Sequence, residues 1–508
     1  MSTQPARTAA RAAGDLITRS PLRLAPDPSR VIAKLFVPGE EVPEHDSRTA
    51  RVIARVLALE EAQAGEALSA TLASFAARHR DLRATFADHF ETVAHRIPRA
   101  ATLSDARRLL IGSYFTQEYA IEGAALCNPS MVAHPDQNGL GPGEARFVLS
   151  ARAIGEGHFS CIELRTGVLG PGGRIDLEQP APHPCLGRVR PPAYDLRQFE
   201  AMLSATGGDD EVTAFLHRHL PGPFLAAELE RTLQKLPTPL TARQGTHRTI
   251  ERIRWITAST YDLEFPADTA VSERVLWPHA PTERHGMEDA RFVRFTDDDG
   301  DCSYYATYTA FDGATVTPQC LHTTDFRTFH VTQLTGSASV NKGMALFPRR
   351  IGGTYLALSR WDRETTSIAT SPDNRNWTIG AAVHTPHRPW ELTQVGNCGS
   401  PIETDAGWLV LTHGVGPMRT YTIGAMLLDL DHPDQVIAHL PEPLIAATAH
   451  EREGYVPNVV YSCGAMRHHD TLVIPYGTAD TAVSFATVPI PDLISRMRRA
   501  AHAGGQEL

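Results

Sequence analysis

Lysine is nearly missing from this sequence: only Lys34, Lys235 and Lys342 occur, against 45 arginines, in 508 residues. The bias fits a GC-rich coding sequence, and it draws attention to any lysine inside a polar motif. Positive net charge is missing too, the formal charge being −10. General nucleic-acid binders and anionic-membrane binders need a basic face, so neither kind of partner is expected. Aromatic residues make up 7% of the chain, which leaves little for a base-stacking platform. The seven cysteines (Cys127, Cys161, Cys185, Cys302, Cys320, Cys398 and Cys463) are odd in number, widely spaced and never arranged as CxxC. A disulfide framework and a zinc site are both disfavoured, and no metal or other cofactor is expected. No run of 18 apolar residues exists, and the first 20 residues lack a signal-peptide core. The expectation is a cytoplasmic protein.

What is present is globular: 42% hydrophobic and 21% charged residues. Apolar residues recur at helical spacing through 47–121 and again through 195–238. From about residue 250 the texture becomes alternating strands such as CSYYATYTAF, TYLALSRW and GWLVLTHGV, punctuated by Gly, Asp and Asn turns. The strand runs repeat, with equivalent strands near Tyr305, Tyr355, Trp408 and Leu472 and an earlier copy at 147–167. Five such units fit a mainly β chain, a five-bladed β-propeller with an N-terminal helical region and a helical insertion between the first two blades. The expected division is a helical region over 1–124, a first blade over 125–194, an insertion over 195–248, the remaining blades over 249–490 and a tail over 491–508.

A polar motif precedes each unit: CNPSMV (127–132), GMEDARF (286–292), NKGMALF (341–347), GNCGSPIE (396–403) and EGYVPNVVYSCG (453–464). Singly each reads as a turn cap; at the same phase of every unit they suggest one site for a polyhydroxylated ligand. Glu288 and Asp289 are adjacent on an expected strand, so alternation allows only one of them to face that site. Glu364, Glu403 and Asp480 are the other carboxylates of interest. GLGPGEAR (139–146) reads as a loop and His468-His469 as a solvated hairpin turn. No GxSxG, HExxH or Walker loop occurs.

GMEDARFVRF followed by YYATYTAFDG resembles the EDPR signature of glycoside hydrolase family 130, a family of five-bladed propellers acting on β-mannosides. NKGMALFPRRIGGTYLALSR, GSPIETDAGWLVLTHGV and YVPNVVYSCG with YGTADTAVSFAT resemble its later blades, and CNPSMV with FVLSARA its first. The resemblance implies that Asp289 is the general acid, relaying its proton through the mannose 3-hydroxyl. It further implies that Asn128, Arg152, Arg291, Lys342 and Asp480 hold the sugar. Ala290 stands where the signature usually has proline. Two arginines that hold phosphate in the phosphorylases of the family would fall at Gly313 and Thr324 and are missing. The expectation is therefore an inverting hydrolase, closest to β-1,2-mannosidases, with Glu364 or Glu403 as base. The alternative is a phosphorylase releasing α-mannose 1-phosphate, with inorganic phosphate as co-substrate held by Arg360 or Arg419. A sugar-nucleotide mannosyltransferase and a non-catalytic glycan-binding propeller are further alternatives. A β-mannooligosaccharide is the expected partner, with homo-oligomer contacts through the helical segments.

Overall fold

The computed structural model describes residues 16–39, 47–97, 100–205, 207–208, 210–220 and 222–504. The chain is mainly β, built as five successive antiparallel meanders, or sheets, although the first two are joined through Ser160 and Gly286 in one 12-stranded sheet. The first comprises strands Ala125–Ala133, Ala145–Ile154, Ser160–Gly170 and Arg174–Leu177. The second comprises Gly286–Thr296, Cys302–Phe311, Val316–Thr323 and Thr328–Gln333. The third runs through Ala345–Leu346, Tyr355–Ser359, Thr366–Ser371 and Thr378–His384. The fourth runs through Gln394–Asn397, Gly407–Val415, Tyr421–Leu428 and Val436–His439. In the fifth, the strands Val460–Tyr461 and Met466–His468 pair with Thr471–Thr478, which pairs with Ala482–Pro489.

Each sheet shares an apolar core with the next. Val148 and Leu164 of the first pack with Phe292 and Tyr304 of the second. Phe295 packs with Ala357 and Trp377, and Leu358 with Trp408. Leu411 and Ile423 meet Ile474 and Ala486. Val473 and Phe485 of the fifth sheet return to Phe147 and Leu149 of the first. Burial on both faces explains why the central strands read as continuous apolar and aromatic runs, with each buried phenylalanine worth about 1.5–3 kcal/mol.

The helical segments are real, but their limits differ from expectation. Helices Arg48–Leu57, Glu61–Phe75, Leu82–Ala94 and Asp105–Tyr114 form a bundle around Phe86, Phe90 and Leu110. Ser47, Asp81 and Ser104 cap three of them. Gly112 is required by close packing, since a Cβ there would lie 1.8 Å from the Phe86 carbonyl oxygen. The region 1–124 is not purely helical. Strand Thr18–Leu24 pairs with Ala482–Pro489 and completes the fifth sheet, and Val31–Leu35 pairs with Thr116–Ala120. The second helical segment runs past 248, because its last helix spans Gln244–Ala258. The tail is a helix, Ile490–Gly504, whose Leu493 and Met497 join the core of the fourth and fifth sheets.

A buried ion network ties the N-terminal region to the first sheet. The Arg30 Nε lies 3.2 Å from both Glu122 Oε1 and Glu163 Oε1. Arg165 Nη1 lies 2.6 Å from Glu163 Oε2, and Arg165 also pairs with Glu122. None of the four side chains is more than 4% exposed. Removing one member leaves a charge buried without its partner, so Glu163→Ala should destabilise the fold by about 3–5 kcal/mol. An unchanged urea midpoint in that variant would remove the network from the account of stability.

Candidate active site

One open-mouthed cavity, with about 630 Å³ of free space, is lined from all five sheets. Asn128 and Arg152 come from the first, Asp289 from the second, and Lys342 and Arg360 from the third. Gln394, His413, Arg419 and Tyr421 come from the fourth, and Tyr461 and Asp480 from the fifth. Five residues expected at one site, Asn128, Arg152, Asp289, Lys342 and Asp480, are therefore brought together.

Backbone irregularities aim these side chains. The pairing register slips between Cys127 and Ser130 and again between Glu288 and Arg291. Asn128 and Asp289 lie in these bulges with φ of 49° and 56°, and Asp480 turns with φ of 48°. As expected, only one of the adjacent carboxylates, Asp289, lines the cavity; the bulge breaks strict alternation, so Glu288 nonetheless turns toward the same cations, Arg152 and Lys342. Asn128 Nδ2 donates to Asp289 Oδ1 at 2.7 Å. Glu288 receives Arg152 Nη2 at 2.8 Å and Lys342 Nζ at 2.5 Å. Arg152 Nη1 also stands 4.0 Å from Asp289 Oδ1. Ala290 is in the bulge without a ladder partner, so proline at that position would forfeit no sheet hydrogen bond.

Arg291 does not line this cavity. It is 2% exposed and donates to the Asn397 and Cys398 carbonyls and, at 2.8 Å, to the Tyr461 hydroxyl. Its contacts clamp the second, fourth and fifth sheets together, and its charge acts on Asp289. The two glutamates expected as bases also lie elsewhere. Glu403 is exposed on strand Ile402–Thr404 and accepts hydrogen bonds from Arg349 at 2.8–3.2 Å. Glu364 is exposed in a turn capped by Asp362. Neither lines the cavity.

Gly313 and Thr324, the positions read as lost phosphate ligands, do not line it either. Gly313 has φ of 103°, and a side chain there would meet the His285 ring at 2.6 Å. The missing arginines therefore say little about the cavity. Its own cations say more. Arg360 Nη1 donates to His413 Nε2 at 3.0 Å. Burial, with Arg360 and Arg291 nearby, holds the His413 pKa well below its ordinary value, so the ring is a neutral acceptor. Among the described residues, neither Arg360 nor Arg419 is ion-paired with a carboxylate. Asn128 Oδ1, Arg152 Nε and Arg360 Nε are buried without hydrogen-bond partners, as polar groups awaiting a ligand would be. His413, Gln394 and Tyr421 carry no signal in the sequence because they sit inside strands as ordinary residues, and Tyr461 lies in the fifth polar motif but does not stand out within it.

The two cavity aspartates are driven apart. Burial raises the Asp289 pKa, but Arg152, Arg291, Lys342 and the Asn128 amide outweigh it and hold Asp289 below the usual range. Burial and the Asp289 charge raise Asp480 to about 6, against the opposing pull of Arg152 and Arg419. A carboxyl whose folded pKa is raised favours the folded state fully below its unfolded pKa of 3.8, and that contribution is lost as pH rises through about 6. Asp480→Asn should therefore gain stability relative to wild type between pH 4 and pH 8, by up to about 3 kcal/mol. Thermal melts at the two pH values check this; equal differences at both would place Asp480 at an ordinary pKa. Asp289→Asn should lose about 10²–10⁴-fold in turnover while remaining folded, measured as kcat alongside circular dichroism.

The glycoside hydrolase family 130 model, described as beta-1,4-mannooligosaccharide phosphorylase, matches residues 263–499. A 1,2-beta-oligomannan phosphorylase of Thermoanaerobacter sp. (strain X514) is 35% identical over 215 residues, covering 42% of this chain and 71% of that protein. A beta-1,2-mannobiose phosphorylase of Listeria innocua is 32% identical over 231 residues, covering 44% of this chain and 63% of that one. The solved Listeria innocua beta-1,2-mannobiose phosphorylase, in complex with beta-1,2-mannobiose, aligns over 75% of this chain and 93% of its own with a TM-score of 0.45 and 19% identity. The matched segment carries the bulge of Asp289, the Lys342 loop and the Asp480 turn, and with the identity and coverage of these relatives the chain belongs to glycoside hydrolase family 130.

Proposed function

We propose that the five meanders are the blades of a five-bladed propeller and that the cavity on its axis phosphorolyses β-mannosides, with β-1,2-mannooligosaccharides as the first substrates to test. The observation that carries the phosphorolytic reading is the pair Arg360 and Arg419, two guanidinium groups on the cavity wall that form no ion pair with a carboxylate among the described residues. A phosphate dianion needs such donors, and guanidinium binds it in bidentate fashion. Water needs a base instead, and the carboxylates at hand are poorly suited. Glu288 is neutralised by Arg152 and Lys342, Asp289 is needed as acid, and Asp480, the one other carboxylate on the wall among the described residues, is assigned to holding the sugar. The relatives named phosphorylases support the same reading, which replaces hydrolysis as the main one.

In the reaction a phosphate oxygen attacks the anomeric carbon on the face opposite the leaving group. The bond from that carbon to the bridging oxygen breaks, and its electron pair stays on the oxygen. The oxygen takes up the proton from Asp289, relayed through the 3-hydroxyl as the family resemblance implies. Single displacement at a β-linkage inverts the centre, giving α-mannose 1-phosphate and an acceptor shortened by one sugar.

Asp289 is held ionised in the empty site, so it must gain a proton before it can act. Bound phosphate supplies the negative charge that offsets Arg152, Arg291 and Lys342, raising the Asp289 pKa in the complex. Incubation with β-1,2-mannobiose, with and without phosphate, tests the proposal: mannose 1-phosphate should accumulate only with phosphate. Free mannose released at the same rate in both would overturn it and restore hydrolysis. Arg360→Ala and Arg419→Ala should each raise the phosphate KM about 10–100-fold, the loss of a charge-assisted hydrogen bond.

A further inference from the structure

A second polar cluster lies outside that cavity, where strand Thr378–His384 runs into the loop 385–393. His384, His387 and Glu391 each offer one ligand atom, and these atoms all lie within 4.8 Å of one another. They come from one short stretch, HTPHRPWE. His439, on the strand Val436–His439, brings a third imidazole alongside. Its ring centre is 4.9 Å from that of His384 and 6.3 Å from that of His387, while His384 and His387 are 5.9 Å apart. Imidazoles bound at about 2.0–2.1 Å around one tetrahedral ion have ring centres roughly 5 Å apart, so the cluster already has nearly that spacing.

The hydrogen bonding of the cluster is incomplete. His384 is 4% exposed and Glu391 0%. Both ring nitrogens of His384 and Oε2 of Glu391 lack hydrogen-bond partners. His384 Nε2 faces Glu391 Oε2 at 3.3 Å without hydrogen-bond geometry, the approach of two ligands to a shared ion. The other atoms are partnered. Glu391 Oε1 accepts from Arg388 Nη1 at 3.1 Å and from the Arg388 backbone N–H at 3.3 Å. His387 Nδ1 lies 3.4 Å from Glu391 Oε1 and donates to the Thr385 carbonyl at 2.8 Å, which leaves the His387 Nε2 with a lone pair. Ligands oriented by outer partners in this way are the usual support of a metal site.

We propose that His384, His387 and Glu391 bind a zinc ion, with water in the fourth position beside His439. Two imidazoles and one carboxylate suit zinc, whereas calcium and magnesium prefer sites made wholly of oxygen. The scarcity of paired cysteines argued against zinc, but this donor set uses none. The ion fastens the loop that delivers Trp390 and Gln394. Trp390 fills the space left by Gly414 and Gly424, where a Cβ would come within 2.4 and 2.8 Å of its ring. Gln394 follows on the wall of the active cavity. Zinc therefore stiffens one wall of that cavity without touching the reacting atoms.

The test uses the tag-free full chain, stripped with EDTA and titrated with zinc chloride by calorimetry, with metal content measured after dialysis. One zinc per chain at a micromolar or tighter Kd, with a rise in melting midpoint, is expected. Glu391→Gln and His387→Gln should each weaken binding by at least about 10-fold. The His387 side chain is 51% exposed, so its replacement leaves the fold intact and decides the matter even if Glu391→Gln does not fold. Asp289→Asn should bind zinc as wild type does. A wild-type chain that takes up no zinc, or zinc binding that survives both substitutions, would overturn the proposal and leave the cluster as an ion pair of Arg388 with Glu391.

Discussion

The chemistry of this protein depends on one extra residue in a strand. At Glu288–Arg291 the ladder with Cys302–Phe311 slips, and the slip lets two successive carboxylates serve one site. Glu288 becomes an anchor for Arg152 and Lys342, and Asp289 faces the cavity while Asn128 fixes its orientation. Asn128 reaches it through a matching slip in the first sheet. Positive φ at Asn128, Asp289 and Asp480 costs on the order of 1–3 kcal/mol per residue. Such strain persists only where rigid surroundings impose it, and the fully buried sheets on either side supply that rigidity. Arg291, two residues beyond the acid, locks the bulge from beneath by binding carbonyls of the fourth sheet and the Tyr461 hydroxyl of the fifth.

Charge then sets the protonation of the site. The chain carries a net charge of −10, yet the cavity inverts it locally. Arg152, Lys342, Arg360 and Arg419, with Arg291 below, outnumber Glu288, Asp289 and Asp480. The surplus keeps Asp289 ionised and leaves Asp480 as the carboxyl that titrates near pH 6. In the proposed phosphorolysis, two acids pushed apart by their surroundings would divide proton donation from sugar binding. An incoming dianion would remove the surplus, so that binding the nucleophile and arming the acid become one event, whereas water would leave the surplus in place.

Much of this was legible in the sequence, for physical reasons that differ between residues. Repeating strands and turn residues recur because each sheet must bury both faces, so the mainly β class and the five polar motifs could be read directly. Lys342 was singled out by its rarity, and it does line the cavity. Failures came where local pattern and tertiary demand diverge. A bulge leaves no mark in an apolar run, so Glu288 and Asp289 read as facing opposite ways. Strand Thr18–Leu24 owes its existence to a partner more than 450 residues away, and its own pattern is weak. Glu403 ends a polar motif and Glu364 follows a strand, but in the fold Arg349 claims the one and solvent the other. His384, His387 and Glu391 lie in one short stretch and look ordinary until the loop 385–393 folds them together and strand Val436–His439 brings His439 alongside.

The helical region belongs to the same mechanical argument. Strands Val31–Leu35 and Thr116–Ala120 stand behind the loop 155–159 of the first sheet. Tyr119 donates through its hydroxyl to the carbonyls of Glu156 and Phe159 at 3.1 and 3.3 Å. Lys34 lies 5.2–5.5 Å from the ring centres of Tyr119, Phe159 and Trp277, a cation held by three aromatic rings. The front of that loop carries His158, whose ring stacks on Tyr455 at 5.5 Å and whose Nδ1 meets the Tyr455 hydroxyl at 2.5 Å. Tyr455 adjoins Val456 on the cavity wall. The loop is thus gripped from behind by the N-terminal region and from the front by the fifth sheet. With the Arg30 network anchoring the same region below, the helical bundle buttresses the first sheet beside the cavity mouth, where a flexible loop would otherwise have to be ordered by each arriving glycan.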